Sequence, residues 1–197
     1  MASTGQGQES RQAMILTAAK ELFYERSFAA VGVDEIGQRA GVTGPAIYRH
    51  FKGKDEILAT LFDDAIDRLT EATAVQSDDP FEELDGLARG HVLFVLEERK
   101  LAGVKIREER SLAEQFQRRL HRRERRYIER WTDCMARCYP EHDPAELTSA
   151  VYVALGALNS VATWSAEAVK EPRTAEIVVA VVLRGLHALE AVPVQER

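Results

Sequence analysis

Apolar residues recur in this chain at i, i+3, i+4 and i+7 almost from end to end, and no stretch alternates with the period of two that a half-buried strand needs. Ile15, Ala19, Leu22 and Phe23 share one face over residues 10–27, and Leu58, Leu61, Phe62, Ala65, Ile66 and Leu69 do so over 54–75. Leu84, Leu87, Ala88, His91, Phe94 and Val95 mark a third face over 80–98. Leu112, Phe116, Leu120, Tyr127, Trp131, Met135 and Cys138 mark a fourth over 111–138. Polar residues fill the opposite faces, as in helices that bury one stripe. Loop residues interrupt at Ser77–Pro80, Pro140–Pro144 and Glu171–Pro172, and no period of 20–50 residues recurs. The pattern predicts an all-α protein.

The last two helices differ from the rest. Over 144–166, Leu147, Val151, Leu155, Leu158 and Ala162 form one stripe, while Val153, Ala157, Val161 and Trp164 form a second. Over 173–190, the run Ile177–Leu183 is apolar on every side. Such helices need cover on more than one face. A second copy of the chain is the economical cover, and Gly156 and Gly185 permit close approach of helices. A homodimer through the last two helices, with a four-helix interface, is therefore expected. A large intramolecular core is the alternative.

Composition limits the partners less than it first suggests. The 197 residues hold 26 Lys plus Arg against 32 Asp plus Glu, a formal net charge of −6, which ordinarily argues against nucleic acid. With 45% apolar and 29% charged residues the chain is neither disordered nor collagen-like. The opening MASTGQGQES lacks a basic start followed by an apolar stretch, so no signal peptide is expected. The longest purely apolar run has seven residues, against roughly 20 for a membrane span. These features predict a soluble, cytoplasmic protein with no membrane partner.

Residues 33–58, VDEIGQRAGVTGPAIYRHFKGKDEIL, carry the functional information. They read as a short helix over 34–40, a tight turn at Gly41, a second short helix over 44–51 and a longer helix entered at Gly53. Gly41 suits the left-handed conformation that ends a helix. Thr43 is placed to N-cap the next one, with Pro45 in its first turn. Two short helices joined by a glycine turn match a helix-turn-helix. With Ile47 and Phe51 inward, 100° per residue puts Pro45, Ala46 and Arg49 outward and Tyr48 and His50 on the flanks. A helix used this way reads base edges in the major groove. Arg49 is placed for guanine, and Pro45 and Ala46 for a thymine methyl. Tyr48 and His50 suit phosphates, and Lys54 adds charge at the first turn of the next helix.

Residues 15–58, from ILTAAKELF through GVTGPAIYRHFKGKDEIL, resemble the DNA-binding head of the TetR (tetracycline-repressor-like) transcriptional regulators. Gly-Val-Thr at the turn, Ile-Tyr-x-His-Phe after it and Lys-x-Lys-Asp-Glu beyond carry the resemblance, which covers about a quarter of the chain. It implies an all-α dimer, a palindromic operator in double-stranded DNA and a larger C-terminal domain that binds a small-molecule inducer. It implies DNA contacts at Thr43, Gly44, Pro45, Ala46, Tyr48, Arg49, His50 and Lys54. The expected organisation is a three-helix head over 1–54 and a ligand-binding and dimerisation domain over 55–197. Family members often carry Thr where Val31 and Gly32 stand, and a basic or small polar residue where Asp34 stands. No contact is carried over to those three positions.

The C-terminal domain offers a candidate effector site. Phe94, Tyr127, Trp131 and Trp164 would line an apolar pocket, with His91 near it, Arg122 at its mouth, and Asn159 either lining it or lying at the subunit interface. A small hydrophobic effector is expected, and an acyl-CoA would put its chain inside and its phosphates on arginine. His91 reads first as a satisfied core histidine and second as a ligand-binding group. Seven arginines crowd residues 118–130, including like-charge i, i+4 pairs such as Arg118–Arg122 and Arg122–Arg126. Acidic partners at Asp63, Asp64 and Asp67, or ligand phosphates, would compensate them. Cys134 and Cys138 lie one helical turn apart and read as buried structural thiols, not as a metal site. No phosphate-binding glycine loop, His-Glu-x-x-His or Gly-x-Ser-x-Gly occurs, so neither an enzyme nor a cofactor is expected. A helical protein adaptor and an all-α enzyme with an unfamiliar site are the competing readings.

Charge by segment resolves the acidic total. Residues 1–55 carry +1, 56–98 carry −10, 99–137 carry +7 and 138–197 carry −4. The acid belongs to the body, and the head must rely on a few placed contacts and on dimerisation.

Overall fold

The computed structural model describes residues 3–192, with side chains from Arg11 onward. Nine α-helices and no strand occur among the described residues: α1 Ser3–Glu25, α2 Val33–Ala40, α3 Gly44–Ile47, α4 Lys54–Ala72, α5 Pro80–Glu97, α6 Arg99–Glu108, α7 Glu114–Cys138, α8 Pro144–Ser160 and α9 Thr174–His187. Packing divides them into two compact units. The first holds residues up to Ala65 with Lys100–His121, and the second holds Ile66–Arg99 with the residues from Arg122 on.

The first unit is built on α1, whose Ile15, Ala19, Leu22 and Phe23 are fully buried with Ile36, Ile47, Ile57 and Leu58. The α2–α3 turn closes as the sequence predicts. Gly41 takes φ 68° and ψ 28°, which costs a residue with a Cβ about 1 kcal/mol. Its N–H donates to Gln38 O at 3.3 Å and that of Val42 to Gly37 O at 2.9 Å, a Schellman closure.

Helix α6, RKLAGVKIRE, was not expected, since only Leu101 and Val104 give it an apolar stripe and Gly103 interrupts it. Polar anchoring to α1 offsets that weakness. Arg107 Nη2 donates to Phe23 O at 2.8 Å and Tyr24 O at 3.0 Å, capping the end of α1, and Lys100 pairs with Glu21. These bonds go with a first compact unit that is discontinuous in sequence, joining 100–121 to the residues up to Ala65.

In the second unit α5 lies against α8 and α9. Leu84, Leu87, Ala88 and Val92 of α5 are buried with Val151, Ala154 and Leu158 of α8 and Val179 of α9. Asp79 caps α5 by accepting from Phe81 N–H at 2.8 Å, and Asp143 with Glu146 forms a capping box on α8. The second stripe of α8 divides: Val161 is buried, whereas Val153 and Ala157 are exposed. On α9, Ile177, Ala180 and Val181 are exposed as well. Pro144–Thr163 is long and apolar enough by composition to cross a membrane, with mean hydropathy 1.2, and a third of it is buried inside the fold.

Candidate nucleic-acid interface and ligand cluster

Helix α3 is shorter than the expected 44–51. Thr43 N-caps it with extended backbone, but its hydroxyl makes no capping bond. After Ile47 the chain tightens into a turn over 48–50, held by His50 N–H and Phe51 N–H on Ile47 O at 2.8 and 2.9 Å. Tyr48, 59% exposed, and Arg49 therefore project from this turn, just past the α-helix. Thr43 and Pro45 are exposed too, and Gly44 and His50 are half-buried.

Two residues sit differently from expectation. Ala46 is buried at 8% exposure, because a methyl on the flank of the wheel tucks inward beside Ile47. Lys54 faces the protein. Its Nζ donates to Phe28 O at 3.0 Å, Val31 O at 3.2 Å and Ala29 O at 3.4 Å, and lies 4.5 Å from the Phe28 ring centroid. Local pattern does not reveal these carbonyls, because they belong to a connection more than 20 residues earlier. Lys52, unassigned from sequence, is exposed. Asp34 Oδ1 lies 2.6 Å from where a Cβ at position 44 would stand, so a carboxylate borders the start of α3.

In the second unit four expected ligand residues come together. Asn159 Oδ1 accepts from His91 Nε2 at 3.2 Å, which leaves Nδ1 to accept from the Tyr127 hydroxyl at 2.9 Å. The His91 ring meets Trp131 edge-on at 6.2 Å. Burial pushes the His91 pKa down to about 4, the Asn159 bond partly opposing it, so the imidazole is neutral near pH 7. Burial likewise raises Tyr127 to about 12. Trp131 is fully buried, and its Nε1–H acts on the Tyr127 hydroxyl without completing a well-aligned hydrogen bond among the described residues. Phe94 stands apart, half-buried with the Arg68 guanidinium 5.6 Å from its ring centroid. Trp164 and Arg122 are exposed, and no hydrogen bond or ring contact joins them to the four among the described residues.

The arginine run meets acidic partners on α4: Arg119 pairs with Asp63, and Arg123 with Asp67. Arg118 pairs with Glu114 at 3.3 Å, and Arg130 donates to Thr73 O and Val75 O. Arg122, Arg125 and Arg126 are exposed. Cys134 and Cys138 are buried free thiols, and Cys134 donates to Pro80 O at 3.4 Å.

Residues 15–61 match the family of bacterial regulatory proteins, tetR family, and residues 77–186 match the tetracyclin repressor-like C-terminal domain. The chain belongs to the TetR family. It is similar to the HTH-type transcriptional activator FasR of Mycolicibacterium smegmatis, 39% identical over 61 residues, which are 31% of this chain and 28% of FasR. Among solved structures it resembles a tetR-family regulatory protein from Rhodococcus RHA1, with TM-score 0.80 and 21% identity over 89% of this chain and 96% of that one. It also resembles AibR, whose structure holds isovaleryl coenzyme A and operator DNA, with TM-score 0.72 and 19% identity over 88% of this chain and 96% of that one. This TetR-family protein is thus a DNA-binding transcriptional regulator and not an enzyme. TetR regulators bind operator DNA and form dimers.

Proposed function

We propose that this TetR-family protein is a cytoplasmic repressor, dimeric through α8 and α9, that leaves a palindromic operator when a small acyl-CoA-class effector binds the second unit. The observation that carries the effector reading is the buried indole of Trp131. A buried donor without a well-aligned hydrogen bond costs up to about 1–3 kcal/mol, and an acceptor-bearing ligand such as a thioester would recover part of it. His91, Tyr127 and Asn159 supply a neutral polar wall around that donor. Phe94 and Trp164 supply apolar surface, and Arg122, with Arg125 and Arg126, supplies guanidinium groups for phosphates. The coenzyme A thioester in the AibR structure favours the same ligand class.

On DNA, the turn after α3 brings Arg49 to a guanine, with Thr43, Gly44, Pro45, Tyr48 and His50 around it. The acyl-CoA must favour a conformation in which the two heads no longer match the operator, since equal affinity for both states would shift nothing. Titrating the operator complex with isovaleryl-CoA and with a long-chain acyl-CoA tests the reading. Release of DNA at tens of micromolar is expected, weakened in Trp131→Phe. A complex indifferent to every acyl-CoA, yet released by an uncharged lipophile, would replace this effector class with a hydrophobic drug-like one.

A further inference from the structure

Three acids around the helix-turn-helix are committed inside the fold. Glu35 pairs with Arg26, Glu25 pairs with Arg39 at 3.1 Å, and Glu56 accepts from the Lys52 backbone N–H at 2.6 Å. Asp34, in the first turn of α2, is not: it is exposed and makes no hydrogen bond or ion pair among the described residues. Its carboxylate nevertheless has a definite place. Oδ1 lies 2.6 Å, and Cγ 3.9 Å, from where a Cβ at position 44 would stand. The group therefore lies over the first residue of α3, and the missing side chain of Gly44 is what admits it. Thr43 and Pro45, on either side of Gly44, are exposed, as are Tyr48 and Arg49 beyond.

A carboxylate at the edge of a base-reading turn can only accept hydrogen bonds. In the major groove guanine offers O6 and N7 and thymine offers O4, all acceptors that repel it. Adenine offers an amine, but beside the N7 lone pair. Cytosine alone offers a donor, N4, with no acceptor of its own next to it. The phosphates repel a carboxylate on every sequence, and a cytosine at the right position offsets that loss. Asp34 thus lowers affinity in general and sharpens the difference between sites.

We infer that Asp34 is a second base-reading group of the head, beside Arg49, which accepts from the N4 amine of one cytosine in each half-site and rejects the other bases there. The inference rests on the DNA-binding reading and adds a specificity-determining residue to it. An acid in the first turn of a helix also complements the helix dipole. That role acts on stability and leaves base preference untouched.

The test uses the full chain and a duplex chosen by in vitro selection with the wild-type protein. Each base pair of the half-site is replaced in turn, and binding is measured for wild type, Asp34→Ala and Asp34→Asn. Wild type is expected to show one cytosine whose replacement weakens binding by about 10-fold or more. Asp34→Ala is expected to bind all four variants at that pair nearly alike, and to bind the three without cytosine more tightly than wild type does. Discrimination at the guanine read by Arg49 should persist. Asp34→Asn is expected to turn the preference from cytosine to adenine, whose N6 and N7 match a side-chain amide. Should Asp34→Ala unsettle α2, the isosteric Asp34→Asn decides alone. The same cytosine preference retained in either variant would overturn the inference while leaving the operator reading intact. If wild type selects no sequence, both fall together.

Discussion

His91 is the residue whose chemistry departs furthest from that of the free side chain. Burial holds its folded pKa near 4, against an ordinary 6.5. The folded state therefore excludes a proton that the unfolded chain accepts. The stabilisation is complete above pH 6.5 and is lost as pH falls toward 4, an amount of about 3 kcal/mol. Urea unfolding at pH 7 and pH 4 should show wild type losing about that much more than His91→Gln; equal losses would mean that the imidazole is not buried neutral. Ser27, at φ 116°, leads the other way: Ser27→Gly should raise stability by about 1 kcal/mol in the same assay. At this scale the sequence was legible where an answer depended on local geometry. Gly41 and the outward Arg49 followed from turn chemistry and the helical wheel. Ala46 and Lys54 did not, because their positions are set by residues distant in sequence, the three carbonyls on Lys54 above all.

Elements were legible in proportion to the apolar stripe they bury. α4, α5 and the long α7 start and end within a few residues of their patterns, since each presents four or more apolar positions to a core. α6 was missed because two buried aliphatics leave no periodicity to count, and its anchors are cations on the carbonyls of α1. The approach of α4 to α5 was invisible for a related reason: it depends on an absent side chain. A Cβ at Gly90 would stand 2.3 Å from Ala72 O, a backbone atom at the end of α4 that has no freedom to yield. Gly90→Ala should cost about 1–3 kcal/mol in chemical denaturation. A neutral result would show that the end of α4 moves away without cost.

At the scale of the whole molecule, the exposed apolar strip of α8 and α9 demands cover. Val153 is 74% exposed and Val181 67%, with Ala157 and Gly185 exposed on the same two helices. On the dimer reading, Val153→Glu combined with Val181→Glu should give a folded monomer by sedimentation velocity and circular dichroism. Its operator affinity should fall by about 100-fold, as the second half-site no longer binds intramolecularly. A variant that remains dimeric would move the interface elsewhere. The overall charge of −6 was a poor guide to this partner, since the largest acidic excess, −10, lies in 56–98 while residues 1–55 carry +1. On the proposed reading, recognition comes from placed groups, Arg49 first among them.

Selection of bound duplexes from fragmented genomic DNA, with wild type and Arg49→Ala side by side, tests this most directly. The expected result is one enriched palindrome whose half-sites lie about one helical turn apart, bound by wild type and weakened by about 1–3 kcal/mol in Arg49→Ala. Enrichment of no sequence, or of a site bound equally well without Arg49, would contradict it.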